Sequence, residues 1–172
     1  MKKILQLGLL VSLSINYAYA NQTNEVTQTQ TKRVGFFLAP AAGAMFSNGT
    51  GYHDSPEFTF SFGYSFSPYF SLKAGSILFY ARSDDGNTSK LGSYLRADAI
   101  FSLPTKTKLT PYLLVGAGNL KLEGSEFAPN VGLGFAYGIS KNYALTLNYR
   151  AIIPTKTDGM INIVDIGFIH YF

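Results

Sequence analysis

The C-terminal stretch IVDIGFIHYF, residues 163–172, alternates strictly between two kinds of side chain. Successive residues of a β-strand point to opposite faces. One face of this strand carries large, mostly apolar side chains, namely Val164, Ile166, Phe168, His170 and Phe172. The other face includes Asp165 and Gly167, which suit a crowded interior, whereas the first face suits hydrocarbon. Because the chain ends on an aromatic residue inside this pattern, we expect the last strand to be part of the fold itself.

The same period of two recurs through most of the chain. Its clearest example is FTFSFGYSF, residues 58–66, in which an aromatic ring occupies every second position and Thr, Ser or Gly lies between. Alternating stretches of this kind predict β-strands. They cover residues 34–46, 58–66, 69–80, 91–103, 110–121, 130–139, 143–150 and 163–172. Pro40 lies inside the first stretch, where it predicts a bulge or an irregularity, because proline cannot donate a ladder hydrogen bond.

The connections between these stretches are of two kinds. Residues 67–68, 104–108 and 140–142 form compact turns, whereas the intervening loops are mostly longer and rich in Gly, Asp, Asn, Ser and Thr. The longer connections are residues 47–56, 82–90, 122–126 and 153–159. Short turns at one end and longer loops at the other are typical of outer-membrane barrels. The pattern places both termini in the periplasm and the four loops outside the cell.

Composition favours the same class of protein. Aromatic residues make up 15% of the chain, with 14 Phe and 12 Tyr, and charged residues only 14%. The charged fraction of soluble proteins is about a quarter. A membrane β-barrel needs apolar surface in alternating form, because half of its side chains face lipid and half face the lumen. The sequence therefore predicts an all-β, eight-stranded, antiparallel up-and-down transmembrane β-barrel, which must close because a bilayer offers no water to open sheet edges.

The N-terminus has the layout of an export signal. Lys2 and Lys3 precede an apolar run over residues 4–15, and Ala18-Tyr19-Ala20 fits the small-x-small cleavage rule. The apolar run is shorter than the roughly 20 residues that a membrane-spanning helix needs. We therefore predict a signal peptide at 1–20, a flexible periplasmic leader at 21–33 and a barrel domain at 34–172. The absence of cysteine excludes a lipoprotein-type anchor, a disulfide framework and a thiolate metal site.

Charged residues also fall on the inward phase of the predicted strands. They are Lys73, Arg96, Asp98, Arg150 and Asp165. An isolated charge in a narrow interior costs several kcal/mol, so we predict that these five form a structural network of salt bridges and hydrogen bonds. Glu57 and Lys121 are further candidate members near the outer rim. The alternative is that the charges line a polar path for ions or small solutes.

The residues do not predict catalysis or a cofactor. Only two histidines are present, and His53 lies beside Asp54 and Ser55 in the first loop. Neighbouring residues of an extended chain point to opposite sides, so their adjacency does not make a catalytic triad. Two histidines and no cysteine leave no transition-metal cluster, and residues 84–87 (DDGN) favour a turn over a calcium site. The formal charge of +4 includes the signal lysines, which leaves little support for nucleic-acid binding.

Three segments resemble the OmpA-like (OmpA, OmpX and opacity-type) family of eight-stranded outer-membrane β-barrels. Thr110-Pro111-Tyr112 with Gly116-Ala117-Gly118 resembles its fifth strand, and residues 127–150 (FAPNVGLGFAYGISKNYALTLNYR) resemble its sixth and seventh. Residues 166–172 (IGFIHYF) resemble its last strand. The likeness is strongest over residues 110–172 and generic over 34–103. Because the residues end with the last predicted strand, we expect no peptidoglycan-binding domain after the barrel, and we do not expect the cell-wall tethering of full-length OmpA proteins to carry over.

The resemblance implies a route of assembly. The last strand of the family carries the sorting signal read by the barrel-assembly machinery, which points to Ile166, Phe168, His170 and Phe172 as that signal here. His170 departs from the tyrosine or other aromatic ring that is usual there. The implied partners are the assembly machinery and periplasmic chaperones during biogenesis, and lipopolysaccharide and phospholipid afterwards.

The sequence thus predicts an integral outer-membrane protein with a structural or envelope-associated, non-catalytic role. One alternative is a narrow pore for ions or small solutes. Another is an adhesin that binds a host surface ligand through Tyr52, His53 and residues 82–90. A third is a soluble periplasmic barrel that holds a small hydrophobic ligand.

Overall fold

Nine antiparallel β-strands make up the fold in a computed structural model that describes residues 33–82, 89–122 and 124–172. The strands are β1 (Gly35–Leu38), β2 (Ala41–Asn48), β3 (Ser55–Ser67), β4 (Phe70–Arg82), β5 (Ser89–Ser102), β6 (Leu109–Lys121), β7 (Ser125–Gly138), β8 (Tyr143–Ile152) and β9 (Met160–Tyr171). Within these described ranges, no helix has the length and apolar character needed to cross a membrane.

The sheet closes on itself. From β3 to β9, consecutive strands pair with each other. The two end strands of this series, β3 and β9, do not pair directly, and each pairs instead with β1 and β2. The two short strands β1 and β2 lie end to end between β3 and β9, so nine strands occupy eight positions of a ring. The predicted eight-stranded antiparallel barrel is confirmed. A closed ring leaves no strand edge whose backbone groups lack a partner strand.

The first predicted strand is interrupted at Ala39 and Pro40. Proline has no N–H to give to the ladder. The amides and carbonyls of Ala39 and Ser61 nevertheless exchange two hydrogen bonds of 2.8 and 3.2 Å, and the Pro40 carbonyl accepts one of 2.9 Å from the Phe168 amide. The predicted irregularity is therefore present, and the wall of the barrel stays sealed across it.

Alternation along each strand separates the outside of the barrel from the inside. On β3, Phe58, Phe60 and Phe62 are 50%, 48% and 56% exposed, whereas Thr59 and Ser61 between them are 3% and 0% exposed. The predicted outward residues of β7, β8 and β9 are exposed in the same way, except for His170, which is half-buried. The outer surface of the barrel is thus a girdle of large apolar side chains.

The sequence left undecided which residues of β6 face inward. Burial and two close-packed glycines assign them. Tyr112, Leu114 and Leu120 face inward and are buried. Gly116 lies against Asp98, and a Cβ there would come within 2.3 Å of the carboxylate oxygen Oδ1. Gly118 likewise leaves room for the ring of Tyr94 on β5, which a Cβ would approach to 2.8 Å. The glycines therefore make space for the inward side chains of the neighbouring strand.

The two ends of the barrel differ. We call the end that carries the connections 68–69, 103–108 and 139–142, together with Arg33 and Phe172, the turn end, and the opposite end the loop end. Apolar side chains fill the interior near the loop end, and we call this cluster the apolar seal. Its largest members are all at most 2% exposed: Met45, Ile77, Phe79, Tyr94, Leu120, Ile152, Ile161 and Ile163.

Candidate functional site

A cluster of three charged side chains lies in the barrel interior, and we call it the ion triad. The Asp98 carboxylate accepts hydrogen bonds of 2.9 and 3.0 Å from the two terminal nitrogens of Arg150. It also forms a salt bridge with Arg96 on its own strand. None of the three residues is more than 4% exposed. A bidentate arginine–carboxylate pair is among the stronger and more directional contacts available to a protein.

The ion triad reaches across the lumen. Asp98 lies on β5 and Arg150 on β8, three positions away around the ring. Arg96 donates to Ser61 Oγ of β3 at 3.3 Å, and Arg150 donates to the Asn130 side chain of β7. The triad therefore ties four strands together through the interior.

A hydrogen-bonded chain joins the ion triad to the apolar seal. Asn130 Nδ2 donates to the Tyr94 hydroxyl at 2.9 Å, and this hydroxyl donates to the Ala128 carbonyl at 2.6 Å. Tyr94 thus satisfies its polar atom while its fully buried ring packs in the seal.

Asp165 belongs to a separate group. Asn148 donates to its carboxylate, and the Tyr112 hydroxyl donates to the side-chain oxygen of Asn148. Among the residues that the structure describes, no lysine or arginine forms an ion pair with Asp165. Tyr94, Asn130 and Asn148 were not predicted as members of the interior network, although all three lie on the inward phase of their strands. Polar side chains at inward positions were the signal that would have found them.

Lys73 stands apart from the triad. It pairs in register with Asp98 on the neighbouring strand, and it is only partly buried. Both oxygens of Asp98 are already engaged by the two arginines. Within the described ranges, no carboxylate forms a salt bridge with Lys73. The five predicted residues therefore form three groups: the triad, Asp165 with Asn148, and Lys73 alone.

The two further candidates behave differently from each other. Glu57 is 4% exposed, and its carboxylate accepts a hydrogen bond of 2.9 Å from Thr59 Oγ1. Lys121 is exposed on the outside of the barrel, so its predicted membership of the interior network is wrong. Leu120 beside it is fully buried, and strand alternation then turns Lys121 outward.

A cavity of about 440 Å³ occupies the interior near the turn end, and we call it the turn-end cavity. Its wall includes Lys73, Asp165 and the two arginines of the ion triad, while Arg33 and Lys108 lie among its lining residues from the turn end. The triad and the seal beyond it close the cavity towards the loop end. The interior is therefore divided into an apolar part, a charged layer and a polar cavity.

The adjacent polar residues of the first loop differ in exposure. His53 and Asp54 are exposed, whereas Ser55 is buried at the start of β3. Asp54 Oδ1 accepts a hydrogen bond of 3.0 Å from the Ser47 amide, which fixes the loop. In the part of the chain that the structure describes, no group of three His, Cys, Asp or Glu residues is placed to hold a metal ion. Residues 84–87 lie outside the described residues.

The predicted assembly-signal residues line the outer surface of β9 at the turn end. Ile166 and Phe172 are 66% and 70% exposed, and Phe168 is 37% exposed. His170 lies between the rings of Tyr143 and Phe172, at centroid distances of 4.7 and 4.6 Å. The histidine ring thus takes the place of an aromatic side chain in a continuous row of rings.

At the loop end, Glu126 holds the connection between β8 and β9. Its carboxylate accepts hydrogen bonds from the amides of Lys156 and Thr157 at 2.6 and 3.1 Å, and from Thr157 Oγ1 at 2.6 Å. The outward residues beside it, Ser125 and Lys121, are polar and exposed. Glu126 therefore lies beyond the apolar girdle.

A comparison with protein families shows one match over nearly the whole chain. Residues 6–168 match the family described as the outer membrane protein β-barrel domain. No curated protein matches the sequence significantly.

Solved structures with the same fold come from several bacteria. Neisserial surface protein A (NspA) aligns with a TM-score of 0.63 at 19% identity, over 80% of this chain and 96% of its own. The N-terminal β-barrel domain of OprF from Pseudomonas aeruginosa aligns with a TM-score of 0.61 at 16% identity, over 81% and 98%. Ail from Yersinia pestis aligns with a TM-score of 0.55 at 15% identity, over 80% and 99%. At these identities the likeness establishes the fold alone.

We predict that Asp98→Asn destabilises the folded barrel by about 3–5 kcal/mol, because two buried guanidinium groups lose their shared counter-charge. Denaturant unfolding in detergent micelles measures the change. The matched control is Asp158→Asn, which alters an exposed loop carboxylate and should stay within about 0.5 kcal/mol of the unmodified protein. Equal stability of the two variants would contradict a structural role for the ion triad.

We also predict that the loop over residues 153–159 loosens in acid. Burial raises the pKa of Glu126, but the hydrogen bonds from Thr157 and from the Lys156 and Thr157 amides outweigh it and hold the pKa below its ordinary value. A lowered carboxylate pKa stabilises the fold above the unfolded pKa, and this contribution is lost as the pH falls through the folded pKa.

Amide hydrogen exchange of Lys156 and Thr157 measures the effect between about pH 6 and pH 3. Protection beyond the intrinsic pH dependence of exchange should fall about tenfold in acid, the equivalent of one charge-assisted hydrogen bond. Glu126→Gln should show the low protection at both pH values, and Asp158→Asn should keep the pH dependence. The same protection in the unmodified protein at both pH values would show that Glu126 does not anchor the loop.

Proposed function

The chain belongs to the outer membrane protein β-barrel domain family, and from that premise we propose that it is a closed, non-catalytic barrel with a structural role in the envelope. The observation that carries this proposal is the filled interior. The apolar seal and the ion triad lie one above the other in the lumen. An eight-stranded barrel is just wide enough for its own side chains to fill.

The apolar girdle supports permanent insertion of the barrel in a lipid bilayer. Outward Phe, Leu, Ile and Tyr side chains surround the barrel, and they are apolar where acyl chains of lipopolysaccharide and phospholipid would lie. In water, the outer surface of the barrel would be an exposed apolar patch far larger than those of soluble monomeric proteins. This surface argues against the soluble periplasmic alternative.

The orientation that we propose follows the rule for bacterial barrels, with short turns in the periplasm and longer loops outside. The turn end then faces the periplasm. The predicted leader at residues 21–33, of which the structure describes only Arg33, would lie on the same side. Export would depend on the signal at residues 1–20, and insertion on recognition of β9 by the barrel-assembly machinery after delivery by periplasmic chaperones.

The interior argues against a steady pore. An ion that crossed the barrel would leave the turn-end cavity, break the ion triad and pass through side chains that exclude water. Several members of the seal, including Ile77, Leu120 and Ile152, are 0% exposed. Desolvation of an ion in such surroundings costs several kcal/mol even after relaxation.

A catalytic role and an adhesive role have less support. In the described part of the chain, His53 lies in an exposed loop and His170 lies in the row of aromatic rings. Ail is named for attachment and invasion, but the described connections at the loop end of this chain are short. Short loops offer little surface for a host ligand.

We predict that the purified protein, reconstituted in planar bilayers, gives no steady unitary current, because its lumen is sealed. Two variants of β4 sharpen the measurement. Phe79→Ala removes a buried phenylalanine ring from the seal and should produce transient currents. Tyr80→Ala, on the next and outward-facing residue, should stay silent.

Heat-dependent migration in gels confirms that each sample is folded before reconstitution. Salt-dependent unitary steps in the unmodified protein would contradict the proposal and favour a pore.

A further inference from the structure

The turn-end cavity has the dimensions of a binding site. Its volume of about 440 Å³ lies within the range of small-molecule sites, roughly 300–1,000 Å³. Residues from several strands and turns line it, and the ion triad forms its floor. The structural role proposed above accounts for the seal and the triad, but it does not account for this space.

Positive charge dominates the lining of the cavity. Its cationic residues are Arg33, Lys73, Arg96, Lys108 and Arg150. The one carboxylate among the lining residues is Asp165, which already accepts a hydrogen bond from Asn148. Asp98 lies behind the two arginines and is shared between them. Glu57, which is 4% exposed, is a third carboxylate close enough to interact with Arg96 and Arg150. Counted against the five cationic side chains, the three carboxylates still leave an excess of positive charge around the cavity. Low-dielectric walls focus such a field on small anions in solution.

Two cationic side chains in this wall are incompletely paired. Lys73 forms no salt bridge with any described residue, and it has no acidic neighbour in register other than the occupied Asp98. The Nε atom of Arg96 is buried without a hydrogen-bond partner in the described structure. An unsatisfied buried donor such as Arg96 Nε is destabilising, and more so because it belongs to a charged group. Lys73 is only partly buried and lines the cavity, so an oxygen-rich anion there would give it an acceptor.

The cavity mouth is held in place by Arg33. Its guanidinium donates to the carbonyls of Ser140 and Tyr143 at 2.8 and 3.3 Å, and it lies 5.4 Å from the centre of the Tyr171 ring. Arg33 is therefore a fixed positive charge at the mouth. Lys108 adds an exposed positive charge on the same rim.

We propose that the turn-end cavity binds a small multivalent oxyanion, of which inorganic phosphate is the simplest, and that Lys73 is its main charged contact. An ammonium group with three donors suits a phosphate oxygen. Arg33 and Lys108 draw the anion in through the mouth, and the arginines of the ion triad keep their bonds to Asp98 when it is bound.

The test is a titration of the folded protein in neutral detergent with inorganic phosphate, followed by amide NMR. Chloride at matched ionic strength is the control for simple screening. The expected result is a saturable set of shifts at residues that line the cavity, such as Ser71 and Thr146, which chloride does not produce. Shifts that are absent, unsaturable or equal in chloride would overturn the proposal. This arm needs no variant.

Substitutions assign the contact. Lys73→Met should weaken phosphate binding about tenfold or more, the loss expected for one charge-assisted hydrogen bond. Lys73→Arg keeps a positive charge with donors that suit phosphate, so it should retain saturable binding that Lys73→Met loses. The control Lys121→Met removes an exposed lysine from the outside of the barrel near the loop end and should bind as the unmodified protein does.

Unchanged affinity in folded Lys73→Met, or an equal loss in Lys121→Met, would overturn the role of Lys73. The titration depends neither on membrane orientation nor on conductance. A negative result would therefore leave the proposed envelope role standing, and a conducting barrel would not by itself refute the anion site.

Discussion

Backbone hydrogen bonding in the absence of water is the constraint on which this structure depends. The core of a bilayer offers no solvent partner for an amide or a carbonyl, so the strands must satisfy one another around a closed ring. The ring closes because β3 pairs with β4 and because β1 and β2 lie between β3 and β9 and pair with both. Even at Pro40, where the ladder loses a donor, neighbouring amides and carbonyls bridge the gap. Once the ring is closed, strict alternation of outward and inward side chains follows.

Closure also creates a lumen in which the inward side chains must pack against one another and pair their charges. Apolar side chains fill the part near the loop end without cost, but a charged layer is tolerated only when its members are paired. The ion triad meets this condition by joining β5 and β8 across the lumen, with Asn130 and Ser61 as additional partners. Lys73 and Asp165 lie outside the triad, and both line the turn-end cavity. The same layout supports both proposals, the sealed barrel and the anion site in the turn-end cavity.

The sequence predicted those features that a period of two controls, and missed those that it does not. Alternation on β3, β7, β8 and β9 was sufficient to assign their outward faces, and Pro40 marked the break between β1 and β2. The pairing of Asp98 with Arg150 depends on the relative stagger of strands three positions apart, which no local pattern records. For the same reason the separation of Lys73 from the triad and the role of Asn148 emerged only from the three-dimensional structure. Lys121 was misplaced because the phase of β6 was ambiguous among residues that were nearly all apolar or glycine.

The central claim is that bulky residues contact lipid while their neighbours face the lumen, and spin labels at two adjacent residues of β7 test it most directly. The chain has no cysteine, so Phe135→Cys and Ala136→Cys each give one labelled site. Phe135 is 41% exposed on the outer girdle, and Ala136 lines the turn-end cavity. In bilayers, oxygen dissolved in lipid should enhance the electron-spin relaxation of the label at 135. A water-soluble nickel chelate should enhance that of the label at 136. The opposite pattern would show that the faces have been assigned the wrong way round and would contradict the account.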